Sequence, residues 1–307
     1  MMTIGHAKAV RRPRDVDQWR AGRLEYIGAS EVAAILGLHK HEGPWTVAAS
    51  KKGILPPWAG NDSMLRGTLH ELANLEWFAQ DNGLEVTQPK DTLIHPTVDR
   101  ARCHLDGYVT DGGIVVEAKD SMGRMAREYR AAAEGQLSQL FAERSSVAGY
   151  WIQVQTQLAI TGRDRGVLTA RCDVSRIDVW IDRDDAWTTR ILDAIQGFWA
   201  RYVEGDDMPD PMAGDLRAVK RTYRGVEAGA VLALPDLRGA VEKLRALRAE
   251  MKALGTEKKA LEARVLAAMG TAQRADIGED IKPVKRIEIK EVTVPETVRK
   301  GYTRLSY

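Results

Sequence analysis

The stretch from Cys103 to Lys119 constrains the fold more than any other. Two short runs, CHLDGYV and GIVVEAK, flank Thr110-Asp111-Gly112-Gly113. Asp-Gly-Gly tolerates the positive φ that a tight turn between antiparallel strands requires, so the segment predicts a β-hairpin. Residues near the open ends of such a hairpin face one another, so Asp106 on the first strand converges on Glu117 of the second. Glu117 and Lys119 are two apart and share a sheet face. Two carboxylates beside a lysine suit hard-cation chemistry. Mg²⁺ takes oxygen ligands, and the ammonium can orient or activate a water that attacks phosphorus. The plain alternative is a turn aspartate beside a surface ion pair, and the hairpin alone does not decide between them.

The sequence around the hairpin reads α–β–β–α–β–β–α, an α/β (α+β) domain expected over residues 18–212. Residues 1–17 are polar and basic and are expected to form a flexible arm. Ser30 is placed to cap a short helix, Glu31 to Leu36, ended by Gly37. Another short helix is expected over Thr46–Lys52. A longer one, Met64–Asp81, starts at Ser63, with Leu65, Leu69, Leu72 and Leu75 as its core face. After the hairpin come helices at Met125–Gln139 and Gly149–Ile160. The paired strands GVLTARCDV and SRIDVWID follow, then a helix over Asp185–Val203. Beyond residue 212 the pattern changes. Leu244, Leu247, Met251, Leu254, Leu261 and Val265 recur at three- and four-residue spacing, which predicts a helical hairpin or coiled coil for assembly or partner docking. The tail from Asp276 to Tyr307 holds short β-like runs, so residues 213–307 are read as an appendage.

Composition removes several classes of function. In 307 residues, 45 Lys+Arg balance 43 Asp+Glu to leave a formal charge of +2, which excludes binding nucleic acid by sheer basicity. A local basic groove remains allowed. No run approaches the ~18 apolar residues of a membrane span. The N-terminus has no apolar stretch of the secretory kind, so a cytoplasmic protein is expected. Cys103 and Cys172 lie far apart and cannot by themselves make a four-cysteine zinc site or an iron–sulfur cluster.

Two further features bear on the hairpin site. In RGTLHELANLEWF, Gly67 and Glu71 stand one helical turn apart on a face away from Leu65, Leu69 and Leu72. A glycine there permits close approach of a backbone, a metal or a phosphate. In YWIQVQTQLAITG, Gln153 and Gln157 share one helical stripe, opposite Trp151, Val154 and Leu158. Neutral amides can orient water or contact phosphate without cancelling a metal's charge. Each feature alone is equally an exposed polar residue on an amphipathic helix.

In order along the chain, these pieces resemble the phage recombination exonucleases of the lambda-exonuclease/YqaJ type, within the restriction-endonuclease-like PD-(D/E)XK superfamily. WRAGRLEYIGASEV is similar to the family's opening motif. Gly67–Glu71, Asp106-Gly107, Glu117–Lys119 and Gln153–Gln155 follow, and FWARYVEGDDMPDP is similar to the end of its nuclease domain. The resemblance implies a mixed central sheet flanked by helices. It also implies a Mg²⁺-dependent 5′→3′ exonuclease, with Mn²⁺ able to substitute. Such an enzyme degrades linear double-stranded DNA and leaves a 3′ single-stranded tail for a single-strand annealing protein. The ring-shaped homo-oligomer (trimer or tetramer) and the phage or prophage origin are likewise implied, with no membrane partner.

By the same resemblance, Asp106 and Glu117 bind the metal with the carbonyl of Ala118, Lys119 positions the water, and Glu71 completes the acidic cluster. Gln153 matches the family's active-site glutamine, with Gln155 and Gln157 in support. Arg23 and Ser30 hold the DNA 5′-phosphate. Leu105 stands where many relatives have proline. An endonuclease, or a nuclease of other polarity, is the alternative within the same fold, and a non-catalytic DNA-binding scaffold is the alternative outside enzymes.

Overall fold

The computed structural model describes residues 4–11, 15, 18, 21–55, 62–225, 228–275 and 284–285. The chain divides into two units, Met1–Tyr223 and Arg224–Tyr307.

In the first unit a five-stranded mixed sheet carries the site. Its order is β3 (Val86–Thr87), β6 (Gly107–Val109), β7 (Ile114–Ser121), β8 (Arg165–Cys172), β9 (Ser175–Asp182). The hairpin forms as its turn chemistry dictates, with φ of +82° at Gly112 and +65° at Gly113. β7 then pairs in parallel with β8. A parallel neighbour needs a long crossover, here α4 (Ala126–Ala133), α5 (Leu137–Ala142) and α6 (Ser146–Thr161). The expected single helix Met125–Gln139 is instead a 3₁₀ turn, Gly123–Met125, followed by α4. The chain breaks at Gly135, whose φ is +80°. β8 and β9 pair from Arg165↔Asp182 to Cys172↔Ser175. α7 (Asp185–Phe198) then runs into a π-helical turn, Trp199–Glu204.

A second, four-stranded sheet has the order β1 (Lys8–Arg11), β4 (Asp91–Ile94), β5 (Ala101–Cys103), β2 (Ile27–Gly28). Residues 1–17 are expected to form a flexible arm, but Ile4–Arg11 is built into the fold. Ile4 is buried, His6 N–H donates to the Thr161 carbonyl (3.0 Å), and Lys8–Arg11 pairs with Asp91–Ile94. Burial of Ile4 and the ladder's hydrogen bonds offset the cost of ordering the chain.

α1 (Val32–Ile35) and α2 (Pro44–Lys51) precede α3 (Asp62–Asn82), which covers β7 and β8 on one face while α6 covers β7 and β8 on the other. The expected core face of α3 is wrong along most of its length. Leu75 is buried, but Leu65, Leu69 and Leu72 are exposed, and Asn74 and Phe78 share the inner face. The sheet-facing stripe is Arg66, His70, Asn74 and Phe78 at four-residue spacing. Polar groups at the open edge of β7 recruit it, overriding the leucine period. α8 (Leu216–Thr222) closes the unit. The Asp215 carboxylate just before it is fully buried, and it accepts the N–H groups of Gly43, Thr46 and Met212 at 2.9 Å and the Thr46 hydroxyl at 2.5 Å. This links the segment after residue 212 to the start of α2.

The second unit holds α9 (Arg238–Met269), one 32-residue helix that continues through Gly255 rather than folding into a hairpin. Leu244, Leu247, Met251, Leu254, Leu261 and Val265 are all exposed along it. β10 (Arg274–Ala275) pairs with β11 (Val284–Lys285); the rest of the expected β-like tail lies outside the described residues.

Candidate active site

The hairpin register sets the site. Gly107 pairs with Val116, so the next position back, Asp106, stands across from Glu117. β6 begins at Gly107, and among the described residues no strand pairs with this edge of β7 from Glu117 onward, which leaves it open. The Asp106 carboxylate fills the first vacant ladder position, with Oδ2 accepting the Ala118 N–H at 2.9 Å. A Cβ at Gly107 would lie 2.8 Å from Val86 and 3.0 Å from Leu75, so only glycine lets the strand close so tightly behind Asp106.

Glu117 is buried, and both its oxygens are held. Gln153 Nε2 donates to Oε1 at 2.6 Å, Gln157 Nε2 donates to Oε2 at 2.6 Å, and Lys119 Nζ pairs with Oε1. Gln157 also reaches the His104 carbonyl, while its own Oε1 is buried without a partner. The Lys119 ammonium lies 4.9 Å from the Tyr150 ring centroid. Burial works against the Lys119 charge, but the Glu117 and Asp106 carboxylates hold its pKa well above the usual lysine range. Asp106 moves upward from the ordinary carboxylate range. Desolvation is the largest cause, followed by the neighbouring Glu117 charge and then Glu71, against the opposing pull of Lys119.

Gln153 and Gln157 thus meet at Glu117, and Glu71 is close enough to raise the Asp106 pKa. Gln155 is not brought to the site. It lies on another face of α6, donates to the Asp182 carbonyl (2.8 Å) and accepts from Asp184 N–H (3.0 Å), fixing the end of β9. Arg23 and Ser30 meet each other, with the Arg23 guanidinium 3.4 Å from Ser30 Oγ and 3.6 Å from Glu31. Ser30 does not cap the helix. Glu31 takes that part by accepting the Gly28 N–H at 2.7 Å. The turn Ala29–Glu31 packs against α6, the helix of Gln153.

Three supporting groups were missed from the sequence. Lys51 is buried and donates to both Glu31 oxygens and to the Arg23 carbonyl at 2.7 to 2.9 Å. Asn74 donates to the carbonyls of Lys119 (3.3 Å) and Thr169 (3.1 Å), holding α3 over β7 and β8. Tyr150 sits three residues before Gln153, and that helical spacing was the available clue.

The donor set fits a hard divalent cation. Two carboxylates and the Ala118 carbonyl are oxygen ligands, and the crowding that raises Asp106 is a charge imbalance that a cation relieves. Among the described residues no three His, Cys, Asp or Glu side chains are drawn together at metal-binding spacing, because Glu117 is turned toward Gln153, Gln157 and Lys119.

The site thus lies on a mixed sheet whose central strand carries E-x-K, with an aspartate opposite it on the antiparallel neighbour. Residues 18–164 match the YqaJ-like viral recombinase domain. The chain is 24% identical over 269 residues to the uncharacterized protein YqaJ of Bacillus subtilis (strain 168), covering 85% of this chain and 81% of the relative. Similar solved structures include an alkaline exonuclease from Laribacter hongkongensis, at 21% identity and a TM-score of 0.45, covering 61% of this chain and 92% of that one. A phage-related exonuclease from Haemophilus somnus 129PT has 14% identity and a TM-score of 0.44, covering 58% and 95%. No helix among the described residues is long and apolar enough to cross a membrane.

Proposed function

We propose that this chain is a metal-dependent DNA exonuclease that degrades one strand of linear double-stranded DNA from its 5′ end. The observation that carries the reading is the convergence of Asp106, Glu117 and Lys119 at the open edge of β7, with Gln153 and Gln157 gripping Glu117. The match of residues 18–164 to a viral recombinase domain supports DNA as the substrate.

Asp106, Glu117 and the Ala118 carbonyl would hold Mg²⁺, with Mn²⁺ able to replace it and Glu71 reaching it directly or through water. The bound ion would polarise the scissile phosphate and lower the pKa of an attacking water. Lys119, kept charged by its two carboxylates, orients that water and stabilises charge on the phosphoryl oxygens. Gln153 and Gln157 hold the Glu117 carboxylate still without neutralising it.

Direction would come from Arg23 and Ser30. A guanidinium and a hydroxyl side by side suit a terminal phosphate. Glu31, braced by Lys51, lies within ion-pair reach of that guanidinium. The 3′ tail would pass to a single-strand annealing protein, and a ring-shaped trimer or tetramer would keep the enzyme on its DNA. The exposed seam of α9 would supply a contact for such assembly or docking. The cytoplasm of a bacterial host carrying the phage or prophage gene is the matching location.

Linear duplexes ending in 5′-phosphate, 5′-hydroxyl or closed hairpins, incubated with Mg²⁺ and mapped strand by strand, test the proposal. Stepwise loss of the 5′-phosphorylated strand is expected, with closed ends resistant. Internal cuts in closed duplexes would instead make it an endonuclease.

A further inference from the structure

The opposite face of β7 carries a second polar cluster, one residue past Lys119. The Asp120 carboxylate is 3% exposed and meets three cation-forming side chains. Arg66 Nε lies 2.6 Å from Oδ2, His70 Nδ1 lies 3.2 Å from Oδ2, and the Arg171 guanidinium approaches Oδ1 at 2.7 and 2.8 Å. Arg171 also lies 2.9 Å from His70 Nδ1. The acceptor is sunk at the bottom, whereas the side chains of Arg66, His70 and Arg171 remain 40%, 41% and 29% exposed. Two guanidiniums present more N–H donors than one carboxylate accepts; Arg66 Nε is buried, while the side chains as wholes stay partly open to solvent.

A clamp built only to fasten α3 to the sheet would need one cation. This cluster has two guanidiniums and an imidazole, converging from α3 and β8 on the strand that bears Lys119. The carboxylate pre-sets the planar forks, so a ligand meets ordered donors at lower entropic cost. The chain leaving β7 continues the same charge, with Arg124, Arg127 and Arg130 exposed at three-residue spacing.

We propose that Arg66, His70 and Arg171, organised around Asp120, form a cradle for a backbone phosphate of the DNA strand next to the scissile one. The inference rests on the nuclease reading above and deepens it. The ligand is a phosphodiester, which Arg forks recognise bidentately and without regard to base. The cradle, distinct from the Arg23–Ser30 pair, grips the strand along its length rather than at its end.

The test uses the full chain with Lys119→Ala, so that DNA is bound but not consumed, and a 5′-phosphorylated duplex with a short 3′ tail. Added Arg66→Ala is expected to weaken binding about tenfold. It should also lower the slope of log K against log salt by about 0.9, one phosphate's worth. Arg66→Lys keeps the charge and should restore the slope without the full affinity. Among duplexes carrying a single uncharged methylphosphonate, one position should cost affinity in the parent and nothing further in Arg66→Ala. Unchanged affinity and salt slope, with only a lowered melting temperature, would show a clamp for α3 and overturn the cradle. Wild-type cleavage of the same duplex, run alongside, shows whether the nuclease reading survives that failure. A wild type that does not cut sinks both.

Discussion

The two helices that cover β7 treat its faces differently. α6 is buried nearly all round, from Val147 to Thr161, and brings two neutral amides to Glu117. α3 exposes its leucines and brings Arg66 and His70 to Asp120, joined there by Arg171 from β8. An amide fixes a carboxylate's direction and leaves its charge available to a cation, whereas a guanidinium consumes that charge. Two acids on one strand thereby acquire different surroundings: Glu117 is held by amides and Lys119, and Asp120 by guanidiniums. Under the proposals above, this suits one face to a metal and the other to phosphate.

The largest effect should come from the metal face. Asp106→Ala or Lys119→Ala is expected to lower cleavage at least a hundredfold, with circular dichroism unchanged, because each removes several kcal/mol of transition-state stabilisation. EDTA should match that loss without unfolding the protein. The next effect separates two glutamines of one helix. Gln157→Leu leaves a buried Glu117 oxygen without its donor, at about 1–3 kcal/mol, and turnover should fall about tenfold. Gln155→Leu should destabilise the β9 end similarly while turnover stays normal, since its bonds go to Asp182 and Asp184. Equal turnover in the two variants would break the distinction between the faces of α6.

A smaller effect belongs to Arg23 and Ser30, proposed to grip the 5′ end. Arg23→Ala should erase most of the preference for 5′-phosphate over 5′-hydroxyl ends, measured as a ratio of initial rates, with Mg²⁺ affinity unchanged. The smallest is a pH effect. Desolvation, Glu117 and Glu71 hold the folded Asp106 above its ordinary range. Between the ordinary carboxylate pKa and the raised one, the metal-free folded chain therefore binds a proton that the unfolded chain has lost. Stability should fall as pH rises through that window. Asp106→Asn, or a saturating divalent cation, should flatten this dependence in thermal melts.

The hairpin and its three chemical residues were legible because turn chemistry and the two-residue strand period are local. The strands GVLTARCDV and SRIDVWID were legible for the same reason. Helix α3 was not. Its leucines at 65, 69 and 72 match a core period, but Asp120 lies far away in sequence and draws Arg66 and His70 inward instead. Ser30 was read as a cap from its type, whereas the Gly28 N–H is taken by Glu31. The ordering of Ile4 and Lys8–Arg11 depends on pairing with Asp91–Ile94, and the first residues themselves carry no sign of that partner.

Under the proposed function, Asp106 and Glu117 hold a divalent cation at the open edge of β7. Calorimetric titration of Mg²⁺ into the wild type, Asp106→Asn and Glu117→Gln tests it most directly. The account predicts saturable binding in the wild type that is lost in both variants while their folds persist. Identical Mg²⁺ binding in all three proteins would contradict it.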